Sequence, residues 1–288
     1  MDKVAVLLTC YNRKEKTLAC LSSFYACEMP SNYQFEIFLV DDGSTDGTSL
    51  EVANQFPQVT IVAGSGNLFW AGGMRLAWDT AFLKGGFSAF LLLNDDVLLE
   101  TDCLTTLTNT HTNSISNVSP GIYIGATADA ETGKVSYGGY KLTRNNFLIS
   151  SQLVLPSDIP VSCDYANANI LFISSYALEK LGKLDSRYTH SLADYDYTRR
   201  APENNIPLLL VPGILGLCKD DHGNNWKTGN VSLKKRIEYL KSPKGLAYGE
   251  YLYYLKKHYP LTVPYYFTML WLKTLFPFLW ELFKRPKG

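Results

Sequence analysis

The sequence predicts an α/β protein: a doubly wound, mostly parallel central sheet flanked by helices, followed by a C-terminal aromatic-rich helical segment. Three observations lead there. Over the first hundred or so residues, short apolar runs alternate with stretches of helical periodicity. Polar, largely acidic clusters stand just beyond those runs. Aromatic side chains crowd the last forty or so positions. A β-α-β-α-β-α-β succession is the pattern of a parallel sheet with helical crossovers.

Each element has its own signal. Val4 to Cys10 is a continuous apolar run, as a strand buried on both faces should be. Lys14 to Cys27 carries Leu18, Leu21 and Tyr25 at helical spacing. Phe35 to Val40 is the second strand, and Asp46 to Phe56 a short amphipathic helix with Leu50, Ala53 and Phe56 three apart. Val59 to Val62 is the third strand. Met74, Ala77, Trp78, Ala81 and Phe82 follow the i, i+3, i+4, i+7, i+8 rule of one helix face. Ala89 to Leu93 is the fourth strand. From Gly121 to Phe172 the chain reads as strand-like pieces between Gly-rich turns, with Asn169 to Ile173 a core strand. Ser174 caps a short helix to Leu181. Ser191 to Ala201 is helical and bounded by Pro202, and Ile206 to Val211 is the last core strand.

Tyr248 to Phe283 combines Tyr, Trp and Phe with Lys256, Lys257, Lys273, Lys284 and Arg285. Tyr265 to Phe283 has the length of a membrane span, but Lys273 and Pro277 interrupt it. The expectation is helices lying in a membrane interface, with an aromatic cap on the catalytic domain as the alternative.

Composition excludes several classes. Of 288 residues, 46% are apolar and 19% charged, which rules out a disordered chain. Lys+Arg and Asp+Glu number 27 each, so no bulk charge draws the chain to nucleic acid. Six cysteines without a C-x-x-C pair argue against structural zinc and for reduced thiols. Val4 to Cys10 is too short for a signal peptide, and Tyr11-Asn12-Arg13-Lys14 follows at once. The expected location is the cytoplasm, peripheral on the cytoplasmic face of the inner membrane.

In an open parallel sheet, ligands bind beyond the carboxyl ends of the strands. The four strands lead to Thr9-Cys-Tyr-Asn-Arg13, Asp41-Asp-Gly-Ser-Thr-Asp-Gly-Thr48, Asn67-Leu-Phe-Trp-Ala-Gly-Gly73 and Asn94-Asp-Asp96. Together with a later Leu184-Asp185 and Asp194-Tyr-Asp196…Arg200 stretch, this succession resembles family 2 glycosyltransferases of the GT-A fold, near the bacterial rhamnosyltransferase-like branch. The resemblance covers Val4 to Trp226. It implies transfer of a sugar from a nucleotide diphosphate donor with inversion at the anomeric carbon.

The chemistry of the residues agrees with that implication. Thr9 and Tyr11 suit a nucleobase pocket, and Asn12 and Arg13 complete that turn as donor contacts. Asp41 or Asp42 can accept a hydrogen bond from a pyrimidine imide, with an Asx turn before Gly43 as the alternative for Asp42. Asn67 and Gly73 shape the floor under the donor, where glycine lets backbone approach closely. Arg75 is assigned to the diphosphate, with a surface role as the alternative. Asn94-Asp95-Asp96 occupies the place of the family's D-x-D-like motif. This assigns Asp96 to Mn²⁺ or Mg²⁺ and Asn94 and Asp95 to the donor.

The resemblance further implies a general base at Asp194. Ala193 stands where the family has Glu. Asp196 is the second candidate for the base and an acceptor-side residue, with a structural pair to Arg200 as the alternative. His222 is implied as a metal or diphosphate ligand, and Trp226 as part of a loop closing over the donor. His111, His190 and His258 lack a comparable context.

The expected organisation is a catalytic domain over residues 1–230, with a nucleotide-binding half (1–120) and an acceptor half (121–230). The helical segment 231–288 follows; the part from Tyr248 on is expected to be dispensable for donor binding because every donor motif lies before Lys227. The expected substrates are a UDP- or dTDP-sugar, rhamnose leading, and a glycan or lipid-linked glycan of a bacterial surface polysaccharide. Two rivals share the fold: a catalytically degenerate sugar-nucleotide-binding module, and a sugar-phosphate nucleotidyltransferase. The latter would carry a Gly-rich basic loop after the first strand, which Thr9 to Arg13 lacks.

Overall fold

The computed structural model describes residues 1–117, 120–145, 148–219 and 231–278. The first half runs β1 (Asp2–Cys10), α1 (Lys14–Ala26), β2 (Tyr33–Asp41), α2 (Thr48–Gln55), β3 (Thr60–Ala63), α3 (Phe69–Lys84), β4 (Ala89–Leu93), β5 (Leu98–Leu99) and α4 (Cys103–Asn117). The second runs β6 (Ile122–Ala128), β7 (Val135–Tyr137), β8 (Gly139–Asn145), β9 (Leu148–Leu153), β10 (Val161–Ser162), β11 (Tyr165–Ala166), β12 (Ile170–Ser174), α5 (Ser175–Leu181), α6 (Ala193–Glu203) and β13 (Leu208–Leu217). Helices α7 (Leu233–Lys241), α8 (Tyr248–His258) and α9 (Val263–Leu275) close the described chain, with a 3₁₀ turn at Pro260–Thr262.

Among the described residues the main sheet has the order β10-β13-β6-β12-β4-β1-β2-β3, with β5 and β7 at its margins. Strands β3, β2, β1 and β4 are parallel, and β12 runs antiparallel between β4 and β6. The chain order therefore reverses at β1, which lies between β2 and β4. Beyond the carboxyl ends of such neighbours the loops diverge and leave a crevice. From Val4 to Leu8 β1 is apolar because it is covered twice: Ala5 and Leu7 pack with α3 on one face, and Val6 and Leu8 with α1 on the other. The GT-A type of architecture expected from the sequence is present.

Three elements depart from the sequence reading. Helix α4 has no counterpart there, because its Thr- and Asn-rich composition is poor in helix formers. Burial of Cys103, Leu104 and Leu107 holds it against the sheet. The hydroxyls of Thr108, Thr110 and Thr112 turn inward and donate to carbonyls one turn back. Strand β13 continues past Val211, where Pro212-Gly213 suggested a turn. Gly213, at φ +76°, instead forms an irregularity in the pairing with β6. Finally, α3 begins at Phe69, so Gly72 and Gly73 lie inside a helix and not in a loop.

The C-terminal segment is built into the core through α8. Tyr254, Leu255 and Tyr259 are buried in the same cluster as Trp78, Tyr188 and Tyr197. Helix α9 instead leaves Phe267, Leu272 and Leu275 exposed, and Phe276 and Phe278 just beyond it are exposed as well. No helix among the described residues is long and apolar enough to cross a membrane. All six cysteines are buried, and none forms a disulfide.

Candidate active site

A cavity of about 440 Å³ opens beyond the carboxyl ends of β1, β2 and β4. Of the predicted donor residues, Thr9, Tyr11, Arg13, Asp42 and Asp95 line it. Its volume falls in the range of pockets for drug-sized ligands. Tyr11 exposes half of its ring surface, and Phe69 and Trp70 stand on the α3 side.

The acidic side chains divide by their partners. Asp42 accepts hydrogen bonds from the backbone N–H groups of Gly66 (2.8 Å), Leu68 (2.8 Å) and Phe69 (3.1 Å). It thereby shapes the loop that delivers Phe69 and Trp70 to the cavity. Asp41 caps the turn after β2, accepting from the Ser44 N–H at 2.8 Å and from the Ser49 hydroxyl. Asp95 and Asp96 converge on one cationic nitrogen: Arg13 Nη1 lies 3.2 Å from Asp95 Oδ1 and 2.9 Å from Asp96 Oδ2. Lys16 Nζ is 3.5 Å from Asp96. Burial pushes the Asp95 carboxyl up to about 6, against the opposing pull of Arg13, and the neighbouring Asp96 charge adds to the rise.

Asp194 sits in the first turn of α6, partly buried. Its Oδ2 accepts from the Ala168 N–H at 3.3 Å. The next residue, Asn169, accepts from the Asn94 N–H at 3.0 Å. The expected base is thus tied through the start of β12 to the Asn94-Asp95-Asp96 turn.

Other expected donor and acceptor residues have partners within the protein. Asn12 joins two loops: its N–H donates to Ser44 Oγ at 2.9 Å, and its Oδ1 accepts from the Thr45 N–H at 2.7 Å. Asn94 Oδ1 accepts from the Trp70 indole at 2.8 Å. Arg75 is neither a surface residue nor a wall of the cavity. Its Nη1 donates to the carbonyls of Asp185 (3.1 Å) and Tyr188 (2.9 Å), holding the approach to α6. Gly73 does permit a close approach, but to protein: a Cβ there would lie 2.1 Å from Thr9 Oγ1. Asn67 is exposed, and the cavity wall is Gly66 and Phe69. Asp196 is fully buried, which removes it from contact with an acceptor, and pairs with Arg200 at 3.1 Å. His222 and Trp226 lie outside the described residues.

Two residues of the cavity wall have no counterpart in the sequence reading. Lys244, between α7 and α8, places its ammonium 5.9 Å from the Tyr11 ring centre and 5.8 Å from that of Phe69. His190 lies beside Phe69 and lines the cavity. Burial, with Lys244 and Arg13 nearby, pushes its ring below the usual histidine range. The signal for His190 was its position just ahead of the Asp194 stretch; Lys244 has no local signal. Glu250 on α8 accepts from the Thr189 N–H at 3.1 Å, so the C-terminal segment is fastened to this side of the cavity.

The class follows from fold and site together: a GT-A fold with an acid-rimmed cavity at its topological switch point. Residues 5–161 match the family described as Glycosyl transferase family 2, and the chain belongs to that family. No curated protein sequence matches it. Among solved structures it is similar to the mannosyltransferase PcManGT from Pyrobaculum calidifontis, in complex with GDP-Man and Mn²⁺. The identity is 16% over 83% of this chain and 61% of that one, with a TM-score of 0.52. It is also similar to residues 1–349 of S. aureus TarS in complex with UDP, at 14% identity over 83% of this chain and 66% of that one, TM-score 0.54. The chain thus spans under two thirds of each of these chains, and the likeness is one of fold.

Proposed function

We propose that the chain is an inverting, metal-dependent glycosyltransferase that moves a sugar, rhamnose first among the candidates, from a UDP- or dTDP-sugar to a glycan or lipid-linked glycan. The observation that carries this reading is the cavity at the β1/β4 switch point, with aromatic faces at one side and converging carboxylates at the other. Tyr11 and Phe69 offer flat apolar surface to a nucleobase. Arg13 and Lys244 supply positive charge for a diphosphate.

Asp95 and Asp96 present hard oxygen donors that converge here on the Arg13 guanidinium; a Mn²⁺ or Mg²⁺ ion held by them would take the place of that cation. Among the described residues no group of three or more His, Cys, Asp and Glu is gathered for a metal. When bound, such an ion stabilises charge on the leaving diphosphate. Asp194 takes the proton from the acceptor hydroxyl as that oxygen attacks the anomeric carbon.

The exposed aromatic and leucine side chains of α9 and the residues beyond it support a membrane-surface location for a lipid-linked acceptor. Trp and Tyr favour the headgroup boundary, and lysine stems can lie along it.

A ligand series tests the donor assignment. Uridine, UMP, UDP and dTDP with Mn²⁺ are compared by thermal shift, since a ligand of the folded state raises its apparent stability. UDP or dTDP should raise the melting temperature well above uridine. Lys244→Gln should remove most of that diphosphate increment and leave the uridine shift intact. No response to any nucleoside diphosphate overturns the reading; an unchanged diphosphate increment in the variant overturns the role of Lys244.

A further inference from the structure

Helix α6 carries the base, and its start is held by other elements: the Ala168 N–H donates to Asp194, and Arg75 donates to the carbonyls of Asp185 and Tyr188 just ahead of the helix. The residue before it, Leu192, is held at φ +69°, a conformation costly for a side chain with a Cβ, and no side chain caps the helix. The grip on the rest of α6 therefore adds to the placement of Asp194.

The grip comes from α8. His258 is buried, with 1% of its side chain exposed. Its Nε2 lies 3.0 Å from Asp196 Oδ1, and its Nδ1 lies 3.0 Å from Glu203 Oε2. Those two carboxylates are seven residues apart on α6, which is about two turns of one face. The ring thus spans two turns of the base-bearing helix. A neutral imidazole has one N–H, so only the imidazolium can donate to both carboxylates.

The surroundings favour that charge. From α6, Asp196, Glu203, Arg199 and Arg200 face the cluster; Arg199 pairs with Glu203 and Arg200 with Asp196. From α8, Lys257 reaches Asp196 at 2.7 Å and Asp185 at 3.4 Å, and the rings of Tyr254 and Tyr259 flank His258. The Tyr188 hydroxyl donates to Asp196 at 3.1 Å. Burial opposes a charged His258, but the hydrogen bonds to Asp196 and Glu203 outweigh it and hold the ring above the usual histidine range.

We propose that His258 is a positioning residue for the general base: bridging Asp196 and Glu203, it locks α6, and with it Asp194, from the C-terminal segment. This rests on the glycosyl-transfer reading of the site. The sign of its pH dependence follows. A pKa raised on folding contributes stability that is complete below the unfolded value, about 6.5, and is lost as pH rises through the folded value. The clamp should therefore loosen on the alkaline side, and kcat should fall there while donor affinity holds.

The experiment measures kcat, acceptor KM and UDP affinity from pH 6 to 9 in the native chain, His258→Leu, His258→Gln and Glu203→Gln. Leu removes both contacts and should lower kcat roughly tenfold to a hundredfold, the scale of a small misplacement of a catalytic group. UDP affinity should stay within about twofold of native on the same positioning argument. Gln keeps one donor and should recover part of the rate. Glu203→Gln keeps the ring but removes one carboxylate, and should move the alkaline limb to lower pH. If His258→Leu does not fold, that shift of the limb decides. A folded His258→Leu with native kcat, a parallel fall in UDP affinity, or a limb unmoved by Glu203→Gln overturns the proposal. A native chain that releases no nucleotide from any donor is a different result: it overturns the glycosyl-transfer reading and the positioning role with it.

Discussion

Asp194→Asn lowers the rate of sugar transfer by roughly two to four orders of magnitude, the scale of a lost general base, and leaves nucleoside diphosphate affinity unchanged. The substitution is nearly isosteric. The amide oxygen of asparagine can still accept from the Ala168 N–H, so the link between α6 and the start of β12 survives. What disappears is a basic carboxylate able to take the acceptor's proton. The same change at Asp196 acts by another route. Asp196 is buried among His258, Lys257, Arg200 and Tyr188, so Asp196→Asn unbalances a charge cluster and lowers stability first. Pre-steady-state kinetics on folded variants separates the two. Loss of chemistry with native stability in Asp196→Asn, and none in Asp194→Asn, would reverse the assignment.

Removal of residues 248–288 unfolds the chain and does not merely free it from membranes. The truncation takes Tyr254, Leu255 and Tyr259 out of the core, and each large apolar side chain is worth about 1.5–3 kcal/mol when fully buried. It also strips Lys257 and His258 from the buried Asp196, which keeps only Arg200 and the Tyr188 hydroxyl. These losses are comparable with the whole stability of a typical domain, about 5–15 kcal/mol. A truncated form that stays folded and binds its donor would instead support the expectation that the tail is dispensable for donor binding. A milder cut after residue 262 spares α8 and tests α9 alone. That form should stay folded and lose affinity for anionic vesicles, whereas equal vesicle binding by both forms would reject α9 as a membrane contact. Circular dichroism and vesicle flotation read both results.

The strands of the first half were legible because two-sided burial leaves a plain mark: β1 is apolar from Val4 to Leu8 and β4 at every position. Helix α4 was not, because its helicity comes from packing against the sheet and its threonines bond their own backbone. Thr9, Tyr11, Arg13, Asp42 and Asp95 line one cavity because each stands at or just beyond a strand's carboxyl end, where topology alone brings loops together. Asn12 and Asn94 in the same loops, and Arg75 in α3, make hydrogen bonds to neighbouring protein, a choice of side-chain direction that no local pattern encodes. Lys244 and His258 are the opposite case. Their partners, Tyr11 and Asp196, are far away in the chain, so only the fold brings them together.

The central claim is that the converging carboxylates at the end of β4 serve glycosyl transfer from a nucleotide sugar. The measurement is release of nucleoside diphosphate from a panel of UDP- and dTDP-sugars, dTDP-rhamnose among them, with and without Mn²⁺, by the native chain and by Asp96→Ala. At least one donor should release its diphosphate in a Mn²⁺-dependent way. Asp96→Ala should abolish that release and weaken donor binding more with Mn²⁺ than without. Release that persists unchanged in a folded Asp96→Ala chain, or donor binding with no release from any sugar, would contradict the account.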